Sequence, residues 1–214
     1  MQKATSPAPA RRRVTARAEA KRADILAAAR TLFLDGYDRV STDAIAASAG
    51  VSKRTVYDYF GDKRSVFHCV VAAEHAAVLA AVQAAVDEEI LDDRPLEEAL
   101  TAFARRVLTG AVGSAHYAVL RRLVTAGPVD VLPEVSLAST EPEQVLAERF
   151  AHLVREGRLD APDPRRAADH FGALTLLLAL ESPDAMASPP PPGVDRILIE
   201  GVRAFLRAYP PVAD

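Results

Sequence analysis

Apolar residues recur along most of the chain at intervals of three or four positions, the spacing that places them on one face of an α-helix. The first such stretch covers residues 17–35, where Ile25, Ala29, Leu32 and Phe33 share one face. Similar stretches follow to the end of the chain. The pattern predicts an all-α protein of about nine to ten helices.

Two short helices joined by a tight corner come next. Ser41 or Thr42 can cap the first helix, because a side-chain oxygen accepts a hydrogen bond from a free amide at a helix start. Gly50 supplies a left-handed turn, and Ser52 caps the second helix, at residues 53–60. A helix, a glycine turn and a capped helix form a helix-turn-helix.

The second of these helices has an outward face that is unusual for a solvated surface. Val56 and Phe60 lie four positions apart and are expected to face inward. The residues left outside are Lys53, Arg54, Thr55, Tyr57 and Tyr59. Cations, a threonine methyl and phenol hydroxyls can contact base edges and phosphates in a DNA major groove. The alternative is an ordinary surface helix that carries a few aromatic residues.

We assign expected roles to these side chains and to the two capping positions. The residues expected at base edges are Lys53, Arg54 and Thr55. Those expected at phosphates are Thr42, Ser52, Tyr57 and Tyr59. The partner that these contacts imply is a double-stranded DNA operator.

The same segment resembles the tetracycline-repressor (TetR) family of bacterial regulators. The matching positions are Thr42, Ile45, Ala46, Ala49–Ser52, Thr55–Tyr57, Tyr59, Phe60 and Lys63. The resemblance implies that Lys63 also contacts the DNA backbone. Arg54 departs from the pattern, since many members carry Gly, Pro or Ala there, so the operator sequence cannot be transferred from a relative. Outside residues 20–68 the resemblance is limited to helix pattern and length.

A long helix and a larger helical body follow the corner. Asp62 can cap a helix that continues to about residue 90. The further helices are predicted at residues 95–110, 115–126, 129–139 (weak), 142–157, 164–180 and 194–208. We therefore expect a basic disordered arm (1–16), a three-helix DNA-binding domain (17–65) and a ligand-binding and dimerisation domain (66–214).

The expected arm contains the run Arg11–Arg13 and two prolines. Such a segment can add a DNA contact, at phosphates or in a minor groove. It can equally be a solvated tail that has no partner.

The last two helices indicate a second copy of the chain. Residues 171–180 are apolar nearly all round, and such a helix needs cover on two sides. A four-helix bundle with a two-fold mate supplies that cover, and the TetR resemblance implies the same homodimer. The expected interface residues are Phe171, Leu174, Leu177, Leu178, Ile197, Leu198, Val202 and Phe205. The alternative is that both helices fill the core of one chain. Residues 182–193, which are rich in proline, predict an exposed loop.

Charge is divided unevenly along the chain. Residues 1–65 carry a net charge of +6 and residues 66–214 a net charge of −9, which fits a polyanion partner at one end only.

Cys69 is the single cysteine, so an intrachain disulfide is excluded and a reducing cytoplasm is expected. We expect no membrane partner, because no apolar run reaches the ~20 residues of a membrane span.

The sequence contains few motifs that indicate a function other than DNA binding. There is no phosphate-binding glycine loop, and no two of the five histidines lie four positions apart. We expect no enzyme activity, no cofactor and no metal. The TetR resemblance implies a small-molecule effector bound in the helical body. The residues expected there are His75, Phe103, His116, Tyr117, Arg121 and Phe150.

Taken together, the sequence predicts a ligand-responsive, dimeric transcriptional regulator, most simply a repressor. One alternative is a helical ligand-binding or scaffolding protein whose DNA-binding domain is not functional. Steeply salt-dependent duplex binding separates these two classes. A small helical enzyme is the third class, and a turnover assay would reveal it.

Overall fold

The computed structural model describes residues 9–127, 141–182 and 191–211, except for the side chains of residues 9–16 and 126. Within these ranges the chain forms nine α-helices and no strand, which confirms the predicted all-α fold. The helices are α1 (Pro9–Phe33), α2 (Thr42–Ser48), α3 (Lys53–Phe60), α4 (Lys63–Glu89), α5 (Leu96–Arg106), α6 (Ala115–Ala126), α7 (Glu141–Arg155), α8 (Pro164–Gly172) and α9 (Pro192–Ala208).

Two of these helices continue into a π-helical stretch, in which an N–H bonds to the carbonyl five residues earlier. Helix α5 continues as Val107–Val112, and α8 continues as Ala173–Leu177 before a last α-helical turn at Leu178–Leu180. Gly113 N donates to the Leu108 carbonyl at 2.9 Å. Such stretches are rare and often lie at functional sites.

Some predicted boundaries differ from those observed. Helix α1 begins at Pro9, so the second half of the predicted disordered arm, residues 1–16, is helical. The first eight residues and the side chains of Arg11–Arg13 lie outside the described residues. The weak helix predicted at 129–139 and most of the loop predicted at 182–193 also lie outside them.

The chain divides into two compact units. The first unit comprises Met1–Ala73 and Arg122–Leu132, and the second comprises Glu74–Arg121 and Pro133–Asp214. The divisions therefore fall inside α4 and α6. The first turns of α4 belong to the first unit, so this division falls later than the predicted domain boundary after residue 65.

Aromatic packing explains why α4 begins inside the first unit. The ring of Phe67, on α4, meets the rings of Phe33 and Tyr37 edge to face at centroid distances of 5.1 Å. Arg122 Nε, on α6, donates to the Leu34 carbonyl at the end of α1 at 2.8 Å. Both contacts join residues far apart in the chain, which helix periodicity cannot predict.

Four phenylalanines form the centre of the second unit. Phe103, Phe150, Phe171 and Phe205 come from α5, α7, α8 and α9, with ring centroids 5.3–5.9 Å apart. Offset and edge-to-face aromatic pairs at such distances add to the stabilisation that burial provides. This cluster fixes the packing of the four helices.

The core corrects the predicted dimer interface. Four of its eight residues have 0% exposure within their own chain and offer no surface to a second copy, namely Phe171, Leu198, Val202 and Phe205. The prediction was wrong for these because an apolar helix face looks the same whichever chain covers it. Leu177 and Leu178 are 61% and 47% exposed, and Leu174 and Ile197 are half-buried.

Helix α9 lies very close to the π-helical stretch of α8 at Gly201. A Cβ atom at this position would lie 2.1 Å from the Leu174 carbonyl oxygen and 3.0 Å from Thr175 Cγ2. Thr175 is buried, and its hydroxyl donates to the Phe171 carbonyl at 2.6 Å. Glycine is therefore the residue that lets these two segments pack at this distance.

Helix α4 has the length and composition of a membrane-crossing segment, with a mean hydropathy of 1.8 over its most apolar 18 residues. This mean includes polar residues such as Glu74 and Gln83, so it does not conflict with the absence of an uninterrupted apolar run of ~20 residues. The apolar side chains of this helix are nevertheless used inside the protein, since Val66, Val70, Val82 and Val86 are all at most 5% exposed. Dense use of alanine and valine explains the high hydropathy.

Candidate nucleic-acid interface and cavity

The corner between α2 and α3 is held by capping side chains. Ser41 caps α2, and its Oγ accepts a hydrogen bond from the N–H three residues on at 3.1 Å. This resolves the choice between Ser41 and Thr42. Gly50 adopts a φ of +64°, which a residue with a Cβ atom rarely does. Ser52 Oγ caps α3 in the same way, also at 3.1 Å.

The cap and the turn leave one face of α3 exposed. Val56 points inward and is 1% exposed, which fixes the rotation of the helix. The Arg54 side chain is 90% exposed, with Asp58 as an ion-pair partner at 3.9 Å. Tyr57 is 45% exposed, whereas Tyr59 is half-buried. The predicted outward face is therefore present, with Tyr59 at its edge.

Lys53 is paired with an acid from the preceding helix. Its Nζ donates to Asp43 Oδ2 at 2.8 Å, and this hydrogen bond, together with the attraction between the charges, raises the pKa of Lys53. Lys53 therefore stays protonated at neutral pH. Because the pair is exposed, water and salt screen it, and a phosphate or base can replace the carboxylate at little cost. Sequence reasoning did not single out Asp43.

Three other predicted DNA contacts, Ser52, Thr55 and Lys63, have partners within the first unit. The hydroxyl oxygens of Ser52 and Thr55 lie 2.8 Å apart, and Thr42 is half-buried at the first position of α2. Lys63 Nζ donates to the Tyr37 carbonyl at 3.1 Å and lies 4.0 Å from the centre of that ring. An ammonium group has three protons, so this lysine can hold the carbonyl and still meet a phosphate. These DNA contacts stay predictions.

Arg22, on α1, stabilises the position of α3, a role that the sequence did not reveal. Its guanidinium carbon lies 5.4 Å from the centre of the Phe60 ring, within cation–π range. The same group lies 3.6 Å from Cys69 Sγ on α4. One arginine thus ties α1 to the end of α3 and to α4.

Replacing Asp62 with alanine is expected to destabilise the protein by about 1 kcal/mol, because this residue caps α4. Its Oδ1 accepts a hydrogen bond from Ser65 N at 2.7 Å, and that bond lowers the pKa of Asp62. A carboxyl group with a lowered pKa stabilises the fold above its unfolded pKa and loses that contribution as the pH falls through the folded value. Urea unfolding at neutral and at acid pH measures both effects.

Asp62→Asn is the matched control for this prediction, since asparagine caps a helix but does not titrate. We expect the Asn variant to be close to wild type at neutral pH and to lose less stability in acid. An alanine variant as stable as wild type at neutral pH would show that the cap contributes nothing.

The second unit contains a cavity of about 400 Å³, within the range of ~300–1,000 Å³ that is typical of small-molecule pockets. Residues of α4, α6 and the start of α7 form part of its wall, and both π-helical stretches contribute to it. Most lining side chains are apolar. The geometry suits a compound with an apolar body.

Two of the six residues predicted to bind an effector line this cavity, namely His75 and Tyr117. The structure does not bring the other four to its wall. Phe103 and Phe150 lie in the core, and His116 Nδ1 lies 2.9 Å from Glu74 Oε2. Arg121 is exposed and lies outside the wall.

The cavity wall contains two polar atoms that have no hydrogen-bond partner within the part of the chain that the structure describes. His75 is 8% exposed, and its Nε2 is buried and unpaired, while its Nδ1 lies 3.6 Å from Glu141 Oε2. Glu143 Oε2, in the first turn of α7, is likewise buried and unpaired. Sequence reasoning missed Glu143, because a glutamate in a first helical turn normally faces solvent.

Two matches with known families cover most of the chain. Residues 25–70 match the family described as bacterial regulatory proteins of the tetR family. Residues 98–211, more than half of the chain, match the C-terminal domain of AefR-like transcriptional repressors. This chain belongs to the TetR family.

Individual TetR-family proteins resemble it over similar lengths. A DNA-binding transcriptional repressor TetR from Mycobacteroides abscessus is 31% identical over 152 residues, which cover 70% of this chain and 69% of that protein. A TetR-family transcriptional regulator from Mesorhizobium loti has a TM-score of 0.74 at 28% identity, covering 90% of this chain and 98% of that one. The flavonoid-responsive regulator FrrA has a TM-score of 0.71 at 27% identity, covering 91% of this chain and all of that one.

Membership of the TetR family confirms the resemblance found in the sequence. The family consists of transcriptional regulators rather than enzymes, and this chain is a TetR-family transcriptional regulator. The first match spans both helices of the capped corner. The predicted DNA contacts, from Thr42 to Lys63, thus all lie in the part of the chain that the family shares.

Proposed function

We propose that this TetR-family protein is a dimeric repressor that reads a near-palindromic operator and leaves it when a small effector binds. The observation that carries the proposal is the exposed face of α3, where Arg54 and Tyr57 face outward from a helix fixed by Val56 and the Ser52 cap. A regulator of this kind acts in the cytoplasm, on the chromosome.

The DNA contacts proposed for α3 follow from where each residue lies on the helix and from how exposed its side chain is. Lys53, Arg54 and Thr55 lie at the start of the helix, the end from which a recognition helix contacts base edges. The residues proposed for phosphates are Thr42, Ser52, Tyr57, Tyr59 and Lys63. Phosphate contacts fix the position of the helix on the duplex, and base contacts select the sequence.

A second copy of the chain is proposed to cover the exposed leucines at the end of α8. Leu177 and Leu178 are large apolar side chains of this region that remain exposed. Leu174, on the same stretch, and Ile197, on α9, are half-buried. A two-fold dimer places two α3 helices in successive major grooves, about 34–36 Å apart. This spacing requires two half-sites of related sequence.

The cavity in the second unit is proposed to hold the effector. Its volume and apolar wall suit a small organic molecule, and a structural relative at 27% identity, FrrA, is flavonoid-responsive. Helix α4 carries Phe67 in the core of the first unit and His75 in the cavity wall, so an effector that moves this helix acts on both units. Because binding free energies are coupled reciprocally, operator DNA must weaken the effector as much as the effector weakens DNA.

Replacing Arg54 with alanine is expected to cost about 1–3 kcal/mol of operator binding and to relax selectivity at one base pair. The expectation follows from the almost complete exposure of its side chain on the reading face. Binding is measured on the duplex that the wild type selects from a random pool, and on single-base variants of it.

Arg207→Ala, an exposed arginine on α9 in the second unit, is the control and should leave DNA binding unchanged. A uniform loss of affinity on every duplex would assign Arg54 to a phosphate instead. Unchanged affinity on every duplex would remove Arg54 from the interface.

A further inference from the structure

The charges around the cavity suggest which chemical class of compound it takes. Among the described residues, the lining includes no lysine or arginine, and its acidic members are Glu143 and Asp169. Asp169 also accepts a hydrogen bond from Arg165, one turn before it, at 3.2 Å. Even with His75 protonated, the wall therefore carries no net positive charge that would attract an anion.

Glu143 is the acidic group best placed to meet a ligand. Its Oε2 is buried without a partner among the described residues, and the residue lies in the first turn of α7. A buried carboxylate oxygen without a partner prefers a donor, and a charged donor most of all. The terminal torsion of a glutamate is broad, so this oxygen can turn toward a ligand in the cavity.

His75 offers a second acceptor in the same wall. Its Nδ1 faces Glu141 Oε2 at 3.6 Å, and when the ring proton is on Nδ1 the Nε2 atom has a free lone pair. Nε2 is buried and unpaired. A ligand head with more than one N–H can use both His75 and Glu143.

We propose that the effector is an apolar amine that binds in its protonated form, with its ammonium group at Glu143 and its body against the apolar wall. This inference rests on the proposed function, since it names the compound class of the same cavity. The ammonium supplies the positive charge and the hydrogen-bond donors that the wall lacks. A compound with the same apolar body and a carboxylate group should bind poorly, because its negative charge is repelled by Glu143.

The test uses four probes that share one biphenyl body, titrated into the full-length protein by calorimetry in the absence of DNA. They are 4-phenylbenzylamine (a cationic donor), 4-phenylphenol (a neutral donor), 4-methoxybiphenyl (an acceptor only) and biphenyl-4-carboxylate (an anion). The amine should bind at least tenfold more tightly than the phenol and the ether, and the carboxylate should bind most weakly. A phenol, ether or carboxylate that equals or exceeds the amine overturns the proposal.

Glu143→Gln keeps the shape of the side chain and removes its charge. It should lower amine affinity at least tenfold and improve carboxylate binding. Glu148→Gln is the matched control, an exposed glutamate on the same helix that bonds to Gln144 and lies outside the cavity wall. Equal amine affinity in wild type and Glu143→Gln overturns the assignment of the ammonium to this carboxylate.

Operator release is measured separately, which keeps this proposal distinct from the proposed function. If the amine binds but leaves operator binding unchanged, the compound class stands and the effector role of the cavity fails. If none of the four probes binds, the proposal for the cavity fails, while DNA reading by α3 is unaffected.

Discussion

Replacing Gly201 with alanine is expected to destabilise the second unit by about 1–3 kcal/mol or more, because the new methyl group has no room. The added Cβ atom would lie 2.1 Å from the carbonyl oxygen of Leu174. That oxygen belongs to the backbone of the π-helical stretch, so relief requires α9 and this stretch to move apart. The separation would loosen the packing of Phe171 and Phe205 beneath them.

Gly193→Ala tests the same chemical change on the same helix. A Cβ atom at that position meets nothing within 4 Å, so the variant should match wild type or be slightly more stable. Urea unfolding of both variants gives the comparison. Equal stability of the two variants would mean that α9 does not approach α8 as closely as the structure shows.

Replacing Leu178 with glutamate is expected to leave a folded monomer whose operator affinity is lower by about 10²–10⁴-fold. This is the factor by which the affinity of two linked DNA-binding domains exceeds that of one. The side chain is 47% exposed, so a charge there costs little within the chain but is buried when a second copy covers it. Leu178 does not line the cavity, whereas Leu177 does, so the change leaves effector binding intact. Sedimentation and operator titration measure the two effects.

Leu91→Glu is the control for this prediction, since Leu91 is similarly exposed, at 43%, and lies outside the proposed interface. It should remain dimeric and bind the operator normally. Dimers that persist in the Leu178→Glu variant would place the interface elsewhere on the chain. A charge at Val202, by contrast, does not test the interface, because this side chain is fully buried in its own chain.

The local parts of the candidate site could be predicted from the sequence because short-range rules govern them. Ser52 caps α3 and Gly50 turns the chain whatever the rest of the protein does. The spacing of Val56 then fixes which side chains remain outside. Partners from further away could not be predicted, and so the Lys53–Asp43 pair and the contact between Arg22 and Phe60 appeared only in the structure.

The body could be predicted as a set of helices but not in its packing. Periodicity shows that a face is apolar, and it gives no information on what covers that face, which is why Val202 and Phe205 were assigned to a dimer interface. The π-helical stretches have no sequence signature that we recognised. The cavity combines Glu143 with residues from four other elements, and only the tertiary fold brings them together.

The most direct test of the central claim, that the exposed face of α3 reads DNA, is selection of duplexes from a random pool by the wild-type protein. We expect enrichment of a near-palindrome whose half-sites lie about one helical turn apart. We also expect binding to weaken steeply with salt. Recovery of no common sequence, from a protein that is folded and dimeric, would contradict the claim.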